Sequence, residues 1–163
     1  MSITVRAARP EDADFLAAGN MAMALEAEHK RLDPATVAGG VRAVLEDPSK
    51  GRYFIAEQAG RAVGQLMITC EWSDWRNGCF WWIQSVYVLP AARRGGVFRA
   101  LFGNLERAAQ SDGGVCGIRL YVERDNERAR ETYRRCGLGD VGYVVMEVDY
   151  SGAVQSAGGT RNA

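Results

Sequence analysis

The chain has 163 residues, 47% hydrophobic and 25% charged, and its 20 Lys and Arg balance 20 Asp and Glu for a formal net charge of zero. That profile predicts one compact domain over residues 1–150, and the charge balance argues against a nucleic-acid partner, which normally calls for a basic surplus. No apolar run reaches transmembrane length and the opening MSITVRAARPEDAD lacks the pattern of a secretory signal, so no membrane partner and a cytoplasmic location are expected.

Ile3, Val5 and Ala7 alternate with polar residues and predict a first strand. Pro10, with Glu11, Asp12 and Asp14 behind it, predicts the start of a helix carrying Phe15, Leu16, Met21 and Leu25, with a break near Gly19-Asn20. Asp33-Pro34 opens a second helix that ends near Asp47-Pro48. Tyr53 to Gln58 and Ala62 to Cys70 predict a hairpin around Ala59-Gly60-Arg61. The stretch Glu71 to Gly78 reads as a loop, and Phe80 to Leu89 as a buried strand stopped by Pro90. Phe98, Leu101, Phe102, Leu105 and Ala109 then recur at helical spacing. Asp112-Gly113-Gly114 breaks that helix before a strand at Ile118 to Val122. A short helix follows Asn126, and a last strand is expected near Tyr143 to Val148. The tail from 151 to 163 is small and polar and is expected to be disordered. The order predicts an α/β (α+β) fold: a mixed, mostly antiparallel central sheet with helices on both faces.

The four cysteines, Cys70, Cys79, Cys116 and Cys136, show no C-x-x-C spacing, and His29 is the only histidine. No metal site is expected, and all four thiols are expected to be free.

The connection from Val88 into the helix beyond Gly96 carries the chemistry. Arg93-Arg94-Gly95-Gly96 joins a strand to a helix, and such a turn can cradle a phosphate. Glycines let backbone N–H groups approach an anion, the helix start adds unpaired donors, and the arginines add charge. It lacks the Lys and Ser/Thr of a Walker loop and the three glycines of a dinucleotide fingerprint. Taken alone it is equally an ordinary connection with solvated arginines.

Arg93 to Phe98 resembles the Arg/Gln-x-x-Gly-x-Gly/Ala signature of the GNAT acetyltransferase superfamily. It matches at Arg93 and Gly96 and departs at Phe98, where the family has Gly or Ala. Downstream, Asn126 to Leu138 is similar to the family's Asn-x-x-Ala-x-x-x-Tyr-x-x-x-Gly-Phe element, with Asn126 as helix cap and Gly137 as a left-handed stop. The resemblance spans about Thr4 to Asp149. It implies acetyl-coenzyme A as acyl donor, bound where two neighbouring parallel strands splay apart. Val86, Tyr87, Val88, Arg93, Arg94, Gly95, Gly96, Val97, Phe98, Arg99, Asn126 and Tyr133 are then the expected cofactor contacts. It also implies Tyr133 as the acid that protonates the leaving thiolate, and the homodimer common in the family.

Acetyl transfer to an amine needs an aligned nucleophile, a donor to the oxyanion and a route for the amine's proton. Backbone N–H groups of Ser85 to Val88 can serve as the donor. The base stays open: Glu71 is one candidate, with Asp74, Glu26, Glu28 and Glu123 as alternatives. Four tryptophans, Trp72, Trp75, Trp81 and Trp82, lie beside Glu71 and Asp74. Aromatic faces with carboxylates favour a cation, so the expected acceptor is a small-molecule cationic amine contacted by Trp72, Asp74, Trp75, Gln84, Glu26 and Glu28. One of Trp81 and Trp82 must face the core. The rival expectation is a non-catalytic acyl-coenzyme A sensor of the same fold.

Overall fold

The computed structural model describes residues 2–151; the rest of the predicted tail, 152–163, lies outside the described residues. Strand β1 (Ile3–Ala7) pairs antiparallel with β2 (Arg52–Gln58). The Ala59-Gly60 turn returns the chain into β3 (Arg61–Ser73), which pairs antiparallel with β4 (Gly78–Val88). Beside β4 lies β5 (Val115–Leu120), running parallel to it. The sheet order is therefore β1-β2-β3-β4-β5, mixed and mostly antiparallel as expected.

Pro10 opens a 3₁₀ turn, Pro10–Asp12, before the first helix, α1 (Ala13–Glu28). Arg6 donates to both carboxylate oxygens of Asp12, at 2.7 and 2.9 Å, and to Glu57 at 2.8 Å, which ties this turn to the sheet. The expected break at Gly19-Asn20 does not occur: α1 runs through it. Tertiary packing uses both residues instead. A Cβ on Gly19 would lie 2.3 Å from Gln65 Oε1, and Asn20 accepts from Gln65 and donates to Tyr53. Gly19 is thus a point of close approach rather than a hinge.

α2 (Pro34–Glu46) starts at Asp33, whose carboxylate accepts from the Thr36 N–H at 2.7 Å. Leu16, Ala17 and Val41 pack with Tyr53 and Ile55, so α1 and α2 cover one face of the sheet. The other face is covered by α3 (Val97–Ser111), whose Val97, Leu101, Phe102, Leu105 and Ala109 meet Leu66, Ile68, Trp81 and Ile83. α4 (Glu127–Arg135) packs against α3, and Gly137 at φ 86° ends it as expected.

Three expectations are corrected. No strand forms near Tyr143 to Val148; Tyr143, Val144, Val145, Met146 and Val148 are exposed. Alternation makes a strand only where a neighbour completes the hydrogen-bond ladder, and here Arg130 and Arg134 hold Asp140 back against α4 while the chain beyond it enters no ladder. The Glu71 to Gly78 segment is not all loop: β3 runs to Ser73 and β4 starts at Gly78, leaving a tight turn between them. Nor are all four thiols free. Cys70 and Cys79 are disulfide-bonded across the β3–β4 ladder, while Cys116 and Cys136 are free. The register sets Cys70 opposite Trp81 and Cys79 opposite Trp72, which makes the pair diagonal neighbours on one face.

Candidate functional site: a splayed strand and an uncapped helix start

β5 follows β4 only from Cys79 to Ile83, the last pair being Ile83 with Leu120. Beyond it β4 continues to Val88 with β3 on one side and, among the described residues, no strand on the other. A β-bulge opens this stretch. Met67 pairs with Ser85 and Ile68 with Ile83, so Gln84 is the extra residue on β4. Leu89 donates its N–H to Val63. By strand alternation the Ser85 and Tyr87 amides point to β3, and those of Val86 and Val88 point to the open side.

The chain then passes through the 3₁₀ turn Pro90–Ala92 to Gly96, which caps α3 at φ 83°. A residue with a Cβ is strained there. No side chain caps this helix and its first turn has no acid, whereas Arg99 sits in that turn. The first N–H groups of α3 thus lack the usual carboxylate or hydroxyl partner, and Arg99 adds a cation at the positive end of the dipole. Both features are unfavourable alone and favourable once an anion binds. Arg94 is held at φ 65° with its side chain exposed.

Phe98 does not turn toward this cradle. Its ring packs on Phe102 and edge-on against Tyr133, with centroids 6.0 and 5.5 Å away. Tyr133 stands on α4, and Asn126 caps that helix by accepting from the Ala129 N–H at 3.0 Å. Burial pushes the Tyr133 hydroxyl above its ordinary value, with a smaller push from Cys136.

On the sheet face shared with α1, Trp82 is half-buried while Trp81 is in the core, as alternation requires. Glu71 accepts from Trp82 Nε1 at 2.8 Å and from Arg119 at 2.9 Å. Arg119 stacks 3.6 Å over the Phe80 ring, and Tyr121 lies 4.4 Å from Trp82, centroid to centroid. Gln84 donates to Thr69 at 2.8 Å. The carboxylate of Glu71 is therefore already committed to two donors. Trp72, Asp74 and Trp75 line a shallow cleft of about 230 Å³ with Glu71, Arg76, Arg119 and Tyr143. Those three residues lie at the hairpin end, where Trp72 pairs with Cys79. Gln84 lies five steps along β4 from Cys79, about 17 Å at ~3.4 Å per residue, so the structure does not bring them to the splay.

It does bring Glu26 there. The Glu26 carboxylate accepts from Tyr87 at 2.9 Å and from Arg93 at 2.6 Å, and Arg93 Nε also donates to Val88 O at 3.0 Å. Arg93, then Tyr87, holds the Glu26 carboxyl below its ordinary range. Glu28 is turned away and paired with Lys30. Sequence reading missed Arg119, Tyr121 and Thr69. The one available signal was a lone arginine inside the apolar strand Ile118 to Val122.

A strand opened on one edge runs here into an uncapped, cationic helix start, an arrangement that suits an anionic ligand. The sequence profile of the "Acetyltransferase (GNAT) family" matches residues 21–138. The chain belongs to that family. It is 30% identical over 146 residues, 83% of its length, to a mycothiol acetyltransferase of Mycolicibacterium gilvum (strain PYR-GCK), and spans about half of that relative (46%). Among solved structures it resembles one described as "a possible acetyltransferase from Clostridium difficile 630", with a TM-score of 0.85, 41% identity and coverage of 91% of this chain and 98% of that one. An aminoglycoside N-acetyltransferase in complex with CoA shares the fold at 14% identity, with a TM-score of 0.72 and coverage of 91% and 95%.

The family's donor is acetyl-coenzyme A, and the residues here fit it. The open-side amides of Val86 and Val88 suit an amide arm, and the uncapped start of α3 suits a pyrophosphate. Among the described residues no group of His, Cys, Asp and Glu is placed to hold a metal, and no helix is long and apolar enough to cross a membrane.

Proposed function

We propose that residues 1–150 work as one cytoplasmic domain, in a homodimer, that transfers the acetyl group of acetyl-coenzyme A to a primary amine of a small molecule by direct attack. The observation that carries this reading is that the edge of β4 beyond Ile83, left open among the described residues, runs into the uncapped start of α3, whose first-turn Phe98 meets the ring of Tyr133. Coenzyme A supplies the activated acetyl group when bound. The Val86 or Val88 N–H stabilises charge developing on the acyl oxygen, an effect worth roughly 3–4 kcal/mol for a preorganised donor. Tyr133, kept protonated by burial, donates the proton taken up by the departing sulfur. Asn126 Oδ1 is used in its cap, which leaves the side-chain Nδ2 for the arm of the donor.

For the acceptor, the reading moves away from the hairpin tip. Trp82, Tyr121, Gln84 and Tyr87 offer a floor of aromatic faces and hydroxyls beside the bulge, with Glu71 and Glu26 at its edges. Both carboxylates are ion-paired with arginines. That pairing is what favours the second reading, a sensor that binds an acyl-coenzyme A without transferring it. The deciding experiment is thiol release from acetyl-coenzyme A across a panel of polyamines, amino sugars, amino acids and peptides. Amine-dependent release above background hydrolysis supports the transferase. Tight coenzyme A binding with no amine-dependent release supports the sensor.

A further inference from the structure

Arg93 is the residue that matches the family's phosphate-loop signature, yet its side chain faces the opposite way. Its Nε donates to Val88 O at 3.0 Å, its second nitrogen to Glu26 at 2.6 Å, and its guanidinium lies 5.5 Å from the centre of the Tyr87 ring. Its backbone stands at the end of the 3₁₀ turn, three residues before the Gly96 cap. Two features of this ion pair matter. It spans elements distant in sequence, joining the last turn of α1 to the cofactor turn. It is also open to water, with side chains 39% and 44% exposed, so it is a weak hold. A pyrophosphate is the stronger partner for a guanidinium, since it offers more charge and a bidentate set of oxygens.

We propose that Glu26 competes with coenzyme A for Arg93, and so acts as a positioning residue that sets cofactor affinity from outside the phosphate cradle. In the free protein Glu26, itself oriented by the Tyr87 hydroxyl, keeps the guanidinium on the α1 side of the turn. On binding, Arg93 exchanges the carboxylate for phosphate oxygens. Val88 O and the Glu26 carboxylate are then released together, the first toward the open edge of β4 and the second toward the acceptor face. The inference rests on coenzyme A use and is independent of which amine is the acceptor.

The test is equilibrium binding of coenzyme A, followed by tryptophan fluorescence or calorimetry, to the wild type, Glu26→Gln, Arg93→Ala and the double variant. Glu26 is exposed at the end of a helix, and the thermal midpoint of each variant checks its folding. Glu26→Gln should tighten coenzyme A by about two- to fivefold, the range expected from losing one exposed competing ion pair. The gain should shrink with added salt and vanish when Arg93 is already alanine. Pantetheine, which lacks the phosphates, should bind Glu26→Gln and wild type equally. Unchanged or weaker coenzyme A binding by Glu26→Gln would overturn the proposal. So would a gain that persists without Arg93, or one that appears equally with pantetheine.

Discussion

The ring of Phe98 meets the ring of Tyr133 edge-on, with centroids 5.5 Å apart and planes at 63°. The one residue that departs from the family's loop pattern is therefore the residue that braces the tyrosine on α4. Edge-to-face contacts of this kind add about 0.5–1.5 kcal/mol beyond burial, enough to fix a ring that would otherwise sample several positions.

Phe98→Ala restores a family-like residue at that position and removes the brace. Turnover should fall, by up to about 10²-fold if Tyr133 shifts by an ångström, while the Michaelis constant for acetyl-coenzyme A stays close to wild type. A lower Michaelis constant with unchanged turnover would show that the ring crowds the cofactor instead.

Tyr133→Phe keeps that ring contact and deletes the hydroxyl. Coenzyme A binding should survive, and turnover should drop by roughly 10²–10⁴-fold if proton donation limits the rate. The sign of the pH effect follows from burial. The hydroxyl is pushed above its ordinary value of 10.0, so the protonated, donating form persists past that pH. The wild-type rate should therefore hold on the alkaline side up to about pH 10, and the alkaline fall beyond it should be missing in Tyr133→Phe.

Gly96→Glu places a Cβ on a residue at φ 83° and a negative charge at the start of α3. Coenzyme A binding should be lost, with a modest fall of the thermal midpoint, because the space around Gly96 is open but its left-handed backbone strains any residue with a Cβ. Wild-type affinity in this variant would remove the phosphate cradle from the account.

Glu71→Gln separates a binding role from a base. The amide oxygen can still accept from Trp82, but Arg119 loses its partner. If Glu71 belongs to the acceptor floor, the Michaelis constant for the amine should rise by about two- to fivefold with that for acetyl-coenzyme A unchanged. A base would instead show as a fall in turnover and a flatter rise of rate with pH.

Arg6 and Asp12 predict the acid limb of stability. Arg6, with help from the Arg9 N–H, holds the Asp12 carboxyl below its ordinary 3.8 against the cost of burial. A depressed carboxyl contributes stability that is complete above the unfolded value and is lost as pH falls through the folded one. The wild type should therefore lose stability steeply below about pH 3.8. Arg6→Ala should cost about 1–3 kcal/mol at neutral pH, since it leaves a buried acceptor unpaired, and should flatten that acid limb. Urea titrations at several pH values measure both effects.

Sequence alone determined the parts whose cause is local. Alternation and turn chemistry placed β1, β2, β4 and β5 to within a few residues, Asp33 and Asn126 capped the helices they were expected to cap, and the apolar repeat of α3 named the residues that meet the sheet. The glycine-capped turn before α3 was legible for the same reason: it is built from consecutive residues, so its glycines and arginines appear together in the chain. What only tertiary structure decided are relationships across the sheet. Strand register joins Cys70 to Cys79 and leaves Trp72 and Trp75 at the far end of the hairpin. The end of β5 at Leu120 creates the opening, and packing of α1 on β4 gives Glu26 to Arg93. Side-chain direction and pairing depend on which strand lies alongside and where the ladder stops. No local pattern encodes that, which is why consecutive turn residues such as Arg93 to Gly96 could be grouped from the chain while the contacts of Glu26, Glu71 and Arg119 could not.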